Sequence, residues 1–473
     1  MASTKLTGKD LRGIGFPEGR AIGAAIRILE KSYKGKSRIF KLEMLKRVVE
    51  TPALFREHET LGPIAHALLT QTEYNKTIDL NKKRIEYRVY GIEGIEPGAI
   101  NQMEIAMKLP ITKAGALMPD AHQGYGLPIG GVLATKNAVI PYGVGVDIGC
   151  RMCMTIYDLP VSFLESNRSK FKKLLLENTR FGQASFKQPR DHEVLERKEF
   201  SEIAIIKNLK DRAYKQIGSS GGGNHFVEFG AVHILNEENE LGLESGKYLG
   251  ILSHSGSRGL GANIARHYTK LAMDICKLPN EAKHLAWLDL NSNEGQEYWL
   301  AMNLAGDYAS ACHYQIHQRL ADALGEEHLA IIENHHNFAW KELGENGEEL
   351  IVHRKGATPA GKGVLGIIPG SMTSPGFIVK GKGDHASINS ASHGAGRVMS
   401  RTKAKQTLSK KEVSQYLKSA GVEAIGSGLD EAPMVYKDIH KVMAFQKDLI
   451  DVIGSFDPKV VRMCGDERFH EVD

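Results

Sequence analysis

From about residue 85 the chain consists of short β-type runs separated by glycine clusters, and this pattern limits the fold more than any other feature. Glycine accounts for 50 of the 473 residues, above the usual share of about 7%, which indicates many tight turns and close backbone approaches. No internal repeat or long linker divides residues 85–465. We therefore predict the α+β class, with mixed β-sheets flanked by helices in a single domain over residues 81–473.

Residues 1–80 differ from the rest and are predicted to form a helical, basic N-terminal extension. Their cationic side chains crowd one short segment: Lys31, Lys34, Lys36, Arg38, Lys41, Lys46 and Arg47. Such a run is most often a solvated helix face, and binding of a nucleic acid is the alternative. The net charge of +5 is compatible with a polyanionic partner but does not identify one.

Cysteine usage and hydropathy limit the class of protein. Five cysteines in so long a chain are too few for a disulfide scaffold, and the first residues lack an apolar signal core. No apolar run reaches the length of a membrane span, about 18 residues. We expect a reduced, cytoplasmic protein that does not enter a membrane.

Two helices are indicated by local signals in the larger domain. Apolar residues recur at three- and four-residue steps over 301–324, which places Cys312 in a core. Another helix is predicted to begin at Ser409, with Glu412 completing a capping box, and to end near Gly421.

Histidines stand beside glycines and polar residues in four segments, at 221–230, 253–261, 333–340 and 390–401. In the first, His225, Val227 and Phe229 share one face of a predicted strand, whereas Glu228 points to the other face with Phe226. His254 is expected at the end of a strand. Each histidine alone is more often a hydrogen-bonded residue than a ligand.

Together with Asp147 and Cys150, these histidines form a donor set that suits a transition metal. The softness of the donors alone favours zinc or iron. Cys150 and Cys153 also spell CxxC, which allows a redox pair or half of a zinc ribbon. No second CxxC exists, and an odd offset along a strand sends the two thiols to opposite faces, so Cys153 is interpreted as a packed residue.

His393 is followed by Gly394, Ala395, Gly396 and Arg397, an arrangement that allows it to attack phosphorus while the guanidinium stabilises phosphoryl charge. A hydrogen-bonded histidine in a tight turn is the alternative, and spacing alone does not decide between them. The segments 368–372 and 393–396 offer main-chain N–H groups that could hold a phosphate or a base. The sequence GATPAGKG at 356–363 is rejected as a P-loop because Gly363 replaces the hydroxyl that binds magnesium.

Taken together, these motifs resemble the RtcB family of RNA-splicing ligases. The resemblance runs from Met118 to Gly465 through MPDAHQGYG, VGVDIGC, GGGNHFVEFG, SHSGSRGLG, HHN, HRKGAT, IPGSM, SHGAGRVMSR and DEAPMVYKD. It implies an RtcB-type catalytic domain and an RNA ligase that depends on GTP and manganese. Such an enzyme joins an RNA 2′,3′-cyclic phosphate or 3′-phosphate to a 5′-hydroxyl in tRNA splicing or RNA repair.

The resemblance also assigns roles to individual residues. It implies two Mn²⁺ ions held by Asp147, Cys150, His225, His254 and His336, with Cys150 bridging them. It implies that His393 becomes guanylylated. The implied GTP-binding positions are Asn224, His225, Glu228, His336, Asn337, Pro369, Gly370, Ser371, Met372, His393, Gly394, Ala395 and Gly396.

Phosphates of the RNA are expected to contact Arg258, Arg354 and Arg397, with ordinary structural salt bridges as the alternative. The implied partners are GTP and broken RNA such as cleaved tRNA, and we expect a monomer. Three departures from the family pattern affect specificity: Cys464 replaces a guanine-contacting lysine, Gly376 replaces a serine, and Cys312-His313 replaces an Asn-Arg pair. The alternatives are therefore a metal-dependent cyclic phosphodiesterase, a paralogue with another nucleotide donor, or an RNA-binding module without catalysis.

Overall fold

The computed structural model describes residues 6–17, 20–74 and 77–465. Helices and mixed β-sheets occur in the same chain, which confirms the predicted α+β class. Two compact units can be distinguished, one of residues 1–79 with 274–279 and one of residues 80–273 with 280–473.

The smaller unit is helical in its described part. Its helices are α1 (Gly8–Gly13), α2 (Arg20–Ser32), α3 (Arg38–Glu50) and α4 (Gly62–Tyr74), and a 3-10 turn covers Pro52–Phe55. Apolar side chains from all four helices form a core of its own, which includes Leu11, Ala25, Leu45 and Ile64. Burial of such side chains, worth about 1.5–3 kcal/mol each for the larger ones, holds the unit together.

The larger unit contains the remaining helices and every described strand. Its helices are α5 (Pro97–Ala106), α6 (Pro141–Val144), α7 (Val161–Ser166), α8 (Arg168–Asn178), α9 (Glu199–Glu202), α10 (Ala204–Lys207), α11 (Lys210–Gln216), α12 (Arg258–Ile275, whose last two residues are grouped with the smaller unit), α13 (Asn293–Leu324), α14 (Arg401–Thr407), α15 (Lys410–Ser419) and α16 (Ile439–Ala444). Short 3-10 turns cover Ile92–Gly94, Glu193–Glu196, Lys283–Leu285, Leu429–Glu431 and Pro433–Val435.

Most of the strands are short, as the glycine-punctuated sequence predicts. The strands are β1 (Arg88–Val89), β2 (Thr112–His122), β3 (Ile129–Thr135), β4 (Ala138–Val139), β5 (Arg151–Tyr157), β6 (Phe226–Ile234), β7 (Gly246–Ser255), β8 (Leu288–Asp289), β9 (Ala330–His335), β10 (Asn337–Leu343), β11 (Glu349–Lys355), β12 (Ala357–Pro359), β13 (Leu365–Ile368), β14 (Gly376–Gly381), β15 (Ser390–Ser392), β16 (Glu423–Ile425) and β17 (Ile450–Met463). By contrast, β2, β7 and β17 are longer, with 11, 10 and 14 residues.

Two larger sheets organise this unit. An eight-stranded sheet has the order β13-β14-β17-β6-β7-β5-β9, with β16 paired to β17, and a five-stranded sheet has the order β1-β2-β3-β11-β10. The pairs β12-β15 and β4-β8 complete the pattern. His336 is the single residue between β9 of the first sheet and β10 of the second, so it lies where the two sheets meet.

Alternation along β6 divides its side chains between two environments. Val227 and Phe229 enter a buried cluster with residues of α8 and α13, such as Phe171 and Ile316. Glu228 and Phe226 point to the opposite side and line a pocket. This confirms the predicted separation of Val227 and Phe229 from Glu228 and Phe226. The prediction that His225 shares the face of Val227 and Phe229 is wrong, because the strand begins only at Phe226 and His225 lines the pocket.

The two predicted helices are present. Residues 301–324 lie within α13, and Cys312 is fully buried there. Ser409 caps α15 in a reciprocal capping box with Glu412, and the helix ends just before Gly421, whose φ is 70°. Both outcomes show that periodicity and capping chemistry were sufficient signals for these helices.

Within the described part of the chain, no helix is long and apolar enough to cross a lipid bilayer.

Candidate metal centre and active site

Five predicted metal-binding side chains converge at one edge of the eight-stranded sheet. The strands β6, β7, β5 and β9 are consecutive and antiparallel, so the start of one strand lies beside the end of the next. His225 directly precedes β6 and Cys150 directly precedes β5, whereas His254 lies at the end of β7 and His336 directly follows β9. Antiparallel pairing therefore places the four residues at the same edge.

The donor atoms of these residues form a row with the Cys150 sulfur in the middle. His225 Nε2 lies 3.0 Å from Asp147 Oδ2 and 3.3 Å from Cys150 Sγ. On the other side, His254 Nε2 lies 3.1 Å from Cys150 Sγ and 3.1 Å from His336 Nε2. Metal–donor bonds of about 2.0–2.3 Å at right angles separate neighbouring donors by about 3 Å, so the spacing fits coordination of a cation.

The chemistry of the donors fits a cation as well. Burial lowers the pKa of His336, which keeps its imidazole neutral and able to coordinate. His254 Nδ1 lies 3.2 Å from the carbonyl oxygen of Asn224, so an Nδ1–H donated there leaves the Nε2 lone pair for a metal. Burial and Asp147 raise the pKa of the Cys150 thiol, and a bound cation would favour its deprotonated form.

Two glycines position Asp147 and Cys150, one in the turn between them and one beside the Asp147 carboxylate. The two residues occupy one tight turn, in which Cys150 N donates to Asp147 O at 3.2 Å. Gly149 adopts a φ of 71° in this turn, a conformation that glycine tolerates best. A Cβ at Gly256 would lie 2.0 Å from Asp147 Oδ1, so the carboxylate occupies space that only glycine leaves open.

His393 stands next to this row and is held by a buried carboxylate. Its Nδ1 lies 2.7 Å from Asp120 Oδ2, and the same oxygen accepts from the backbone N–H groups of His393 at 3.1 Å and Gly394 at 3.3 Å. Asp120 is fully buried; burial alone would raise its pKa, but His393, Lys437 and His122 together hold the pKa below its ordinary value. Because Asp120 occupies Nδ1, Nε2 is the nitrogen left for chemistry.

A single pocket joins His393 to the row of donors. It encloses about 1190 Å³ of unfilled space, part of it open to solvent. The rings of His393 and His336 are 5.0 Å apart between centroids. All the predicted metal and nucleotide positions line this pocket: Asp147, Cys150, Asn224, His225, Glu228, His254, His336, Asn337, Pro369, Gly370, Ser371, Met372, His393, Gly394, Ala395 and Gly396.

Comparison with known proteins identifies the family. A family model described as "tRNA-splicing ligase RtcB" matches residues 102–206 and 166–463. The RNA-splicing ligase RtcB1 of Escherichia coli (strain ATCC 25922) is 36% identical over 391 residues, which cover 76% of this chain and 92% of that protein. The chain belongs to the RtcB family. The resemblance drawn from the sequence motifs is thereby confirmed.

Other RtcB proteins match to a similar extent. RNA-splicing ligase RtcB of Escherichia coli (strain K12) is 35% identical over 391 residues, covering 76% of this chain and 92% of that protein. The tRNA-splicing ligase RtcB of Archaeoglobus fulgidus is 31% identical over 438 residues, covering 76% of this chain and 88% of that protein.

Two of the three arginines expected to contact RNA are buried in internal contacts of this RtcB protein, so those two predictions are wrong. Arg354 is 1% exposed and forms an ion pair with Glu342. Arg258 is 5% exposed and donates to the Gly182 carbonyl. Arg397 does line the pocket, where it also pairs with Glu431, and its contact with RNA stays a prediction.

Asp120 is a candidate functional residue that the sequence analysis missed. It lies in MPDAHQGYG, a motif that was noted without a role for its carboxylate, and 273 positions separate it from His393. An acidic residue within the apolar strand β2 was the available signal, because a buried carboxylate requires a partner.

A second cysteine–histidine group lies on the other face of β5 and β7. It comprises Cys153, His313 and His317, whose potential ligand atoms lie within 4.8 Å of one another. Ser253 Oγ joins the two rings, at 2.6 Å from His313 Nδ1 and 2.8 Å from His317 Nε2. His313 Nε2 lies 3.0 Å from Ser255 O, and His317 Nδ1 lies 2.8 Å from Thr155 Oγ1.

One directional arrangement of protons satisfies every one of these contacts. Thr155 donates to His317, His317 donates to Ser253, Ser253 donates to His313, and His313 donates to the Ser255 carbonyl. Burial lowers the pKa of both histidines, which favours the neutral rings that this chain requires. Since all four ring nitrogens have partners, we interpret the group as a buried hydrogen-bonded chain that fixes α13 against β7. Cys153 is fully buried beside it, as expected.

Replacing Ser253 by alanine should lower the free energy of unfolding by about 2–4 kcal/mol, because two buried ring nitrogens lose their shared partner. Denaturant titration measures the change, and the metal content should stay the same. Ser201→Ala, which removes an exposed hydroxyl, is the control and should change the free energy by less than about 0.5 kcal/mol. Equal effects of the two changes would contradict the assigned chain.

Proposed function

We propose that this protein is a GTP- and Mn²⁺-dependent RNA ligase that joins an RNA 2′,3′-cyclic phosphate or 3′-phosphate to a 5′-hydroxyl through a histidine–GMP intermediate. The observation that carries the proposal is the position of His393, whose Nδ1 is held by Asp120 while its ring lies 5.0 Å from that of His336. Membership of the RtcB family supports it. We further propose that it acts as a monomer in the cytoplasm, in tRNA splicing or RNA repair.

Two Mn²⁺ ions would be held by Asp147, Cys150, His225, His254 and His336. In the row of donors, the Cys150 sulfur is the central atom, with His225 on one side and His254 on the other. It is therefore the donor best placed to coordinate an ion on either side. When bound, such cations neutralise charge on phosphate oxygens and orient the reacting groups.

His393 performs the first transfer. Its Nε2 attacks the α-phosphorus of GTP, an N–P bond forms, and pyrophosphate leaves. Asp120 accepts the Nδ1–H throughout, which keeps the lone pair on Nε2 and stabilises the charge that develops on the ring. The segments 370–372 and 395–396 line the same pocket, and their main-chain N–H groups are suited to hold the nucleotide.

Two further transfers complete the reaction. An oxygen of the RNA 3′-phosphate displaces His393 from GMP, after hydrolysis of the cyclic phosphate where one is present. The RNA 5′-hydroxyl then attacks the activated 3′-phosphorus, a phosphodiester bond forms, and GMP leaves. Binding both RNA ends in one pocket supplies the orientation that this step needs.

Glu228 is the residue we assign to recognition of the guanine base. Its side chain lines the pocket and is 4% exposed. Burial raises its pKa, and hydrogen bonds donated by a bound guanine would favour the carboxylate form. A carboxylate accepts hydrogen bonds from the N1–H and 2-amino groups of guanine, whereas N1 of adenine is itself an acceptor. Met463 also lines the pocket, whereas Cys464 packs beside a hydrophobic cluster. Cys464 therefore does not supply the contact with the base that a lysine at this position would make.

Replacing Asp120 by asparagine should slow self-guanylylation by about 10²- to 10⁴-fold and leave GTP affinity nearly unchanged. The amide cannot accept the Nδ1–H and both backbone N–H groups at one anionic oxygen, so the His393 ring loses its preferred tautomer. Single-turnover labelling with GTP and a separate binding measurement provide the two values.

Asp451→Asn is the matched control for this change, because Asp451 is an exposed strand residue outside the pocket. It should label at the wild-type rate. If Asp120→Asn also labels at that rate, the assigned role of the carboxylate is wrong.

The alternative function is a metal-dependent cyclic phosphodiesterase, which would use the same metal ligands without His393. Incubation with α-labelled GTP and Mn²⁺ followed by a denaturing gel separates the two. Label that stays on the protein supports the ligase. Opening of an RNA cyclic phosphate by a protein that takes up no label supports the phosphodiesterase.

A further inference from the structure

The net charge of the protein is concentrated in its smaller unit. Residues 1–79 contain 14 lysines and arginines against 9 acidic residues, while residues 80–473 contain 47 of each. The unit that holds the candidate active site is thus formally neutral, although its proposed substrate is a polyanion. Charge of this kind determines association with polyanions more than it determines a fold.

The positive charge in the smaller unit is densest where α2 passes into α3. Residues 31–40, which we call the basic tip, contain Lys31, Lys34, Lys36 and Arg38, and no acidic residue occurs between Glu30 and Glu43. All four cationic side chains are exposed. Arg38 pairs with Asp10 and is still 48% exposed. The tip therefore presents several cations to solvent.

Two apolar side chains are exposed among these cations. Ile39 is 70% exposed and Phe40 is 43% exposed, and Lys36 Nζ lies 5.7 Å from the centre of the Phe40 ring. A solvated helix face has no need of exposed aromatic and aliphatic groups at its most charged point. Cations beside an exposed ring suit a nucleic acid, because phosphates attract the cations and unstacked bases pack on the ring.

The unit also has the rigidity that a binding surface requires. Leu45 and Val48 of α3, together with Leu29 of α2, are buried in the core of the unit. Ser37 caps α3 by accepting from Phe40 N at 3.2 Å. The helices that flank the basic tip are thus anchored on one side and leave the tip open on the other.

We propose that the basic tip binds the sugar-phosphate backbone of the RNA substrate, outside the pocket where the ends are joined. The inference rests on the proposed RNA ligase function and extends it by assigning substrate affinity to the smaller unit. Binding is sequence-independent, because the cations contact phosphates and Phe40 packs on any base.

The test uses full-length protein and a fluorescent RNA stem-loop that carries a nick with a 3′-phosphate and a 5′-hydroxyl. Affinity is measured without GTP or Mn²⁺ from 50 to 300 mM salt, as about this range gives a measurable slope. The variant replaces Lys31, Lys34 and Lys36 by glutamine. Its affinity at low salt should fall about tenfold or more, and the slope of log K against log salt should become shallower by about 2–3.

The control variant removes the same charge from the larger unit, by replacing the exposed residues Lys113, Lys136 and Lys173 with glutamine. It should bind RNA within about twofold of the wild type. Equal losses in the two variants would show only an effect of net charge and would overturn the proposal, as would an unchanged slope in the tip variant. Phe40→Ala should weaken binding without changing the slope, since no charge is lost.

Self-labelling with GTP separates this proposal from the proposed function. The tip variant should label at His393 like the wild type, because the nucleotide pocket is unaltered. If the wild-type protein takes up no label but the tip variant still binds RNA more weakly, the inference about the basic tip holds and the proposed ligase mechanism is rejected. Unchanged RNA affinity together with lost binding to vesicles of anionic lipid would assign the tip to a membrane surface and overturn the inference.

Discussion

Replacing His393 by alanine is expected to abolish covalent labelling of the protein by α-labelled GTP and to reduce RNA joining below detection. The imidazole Nε2 is the nucleophile that the proposed reaction requires, and alanine offers no substitute. The measurement is the label retained on the protein after a denaturing gel, in the presence of Mn²⁺. RNA joining is followed separately with a nicked RNA.

A matched variant controls for the loss of a histidine as such. His385 is exposed and lies outside the pocket, so His385→Ala should label and join at wild-type rates. Label on His393→Ala equal to that on the wild type would place the nucleotide on another residue. If RNA is joined but neither the wild type nor His393→Ala takes up label, the histidine–GMP intermediate is rejected and the protein is still an RNA ligase.

Replacing Cys150 by alanine is expected to remove most of the bound Mn²⁺ and, with it, joining activity by at least about 10²-fold. The sulfur lies 3.3 Å from His225 Nε2 and 3.1 Å from His254 Nε2, so its loss removes the donor common to both sides of the row. The measurement is metal stoichiometry in the purified protein by elemental analysis, followed by Mn²⁺ titration. Stoichiometry does not depend on activity and therefore tests the site directly.

Cys153 provides an unusually close control, because it lies three residues from Cys150 and is equally buried. It belongs to the group on the opposite face, in which the histidine nitrogens already have partners. Cys153→Ala should keep the wild-type metal content. If Cys153→Ala loses one ion and Cys150→Ala loses none, the metal assignment must move to Cys153, His313 and His317.

Local signals predicted much of the secondary structure. The 3.6-residue period of 301–324 and the Ser409–Glu412 box are local, and both helices are present. Alternation along 226–229 predicted which side chains of β6 enter the core, but it did not extend to His225, which precedes the strand and lines the pocket. These successes share a cause, since a helix or strand records its buried face in the spacing of its own apolar residues.

Two predictions of solvent-exposed roles are wrong. Arg258 and Arg354 stand in glycine-rich, motif-like segments, yet both are buried in internal contacts. A sequence does not reveal whether a guanidinium has a carboxylate such as Glu342 within reach. Glu342, the partner of Arg354, lies 12 residues earlier in the chain and on the neighbouring strand, so only strand pairing brings the two side chains together.

The sequence by itself determined the types of donor atom, the α+β class, the local helices and, through its motifs, membership of the RtcB family. Only the tertiary structure decided that these donors meet. Cys150, His225, His254 and His336 come together because antiparallel pairing in the order β6-β7-β5-β9 alternates strand starts with strand ends along one edge. The contact between Asp120 and His393, which are 273 positions apart, likewise depends on the tertiary structure. Strand order and long-range contacts depend on which buried surfaces fit one another, and no local spacing encodes that fit.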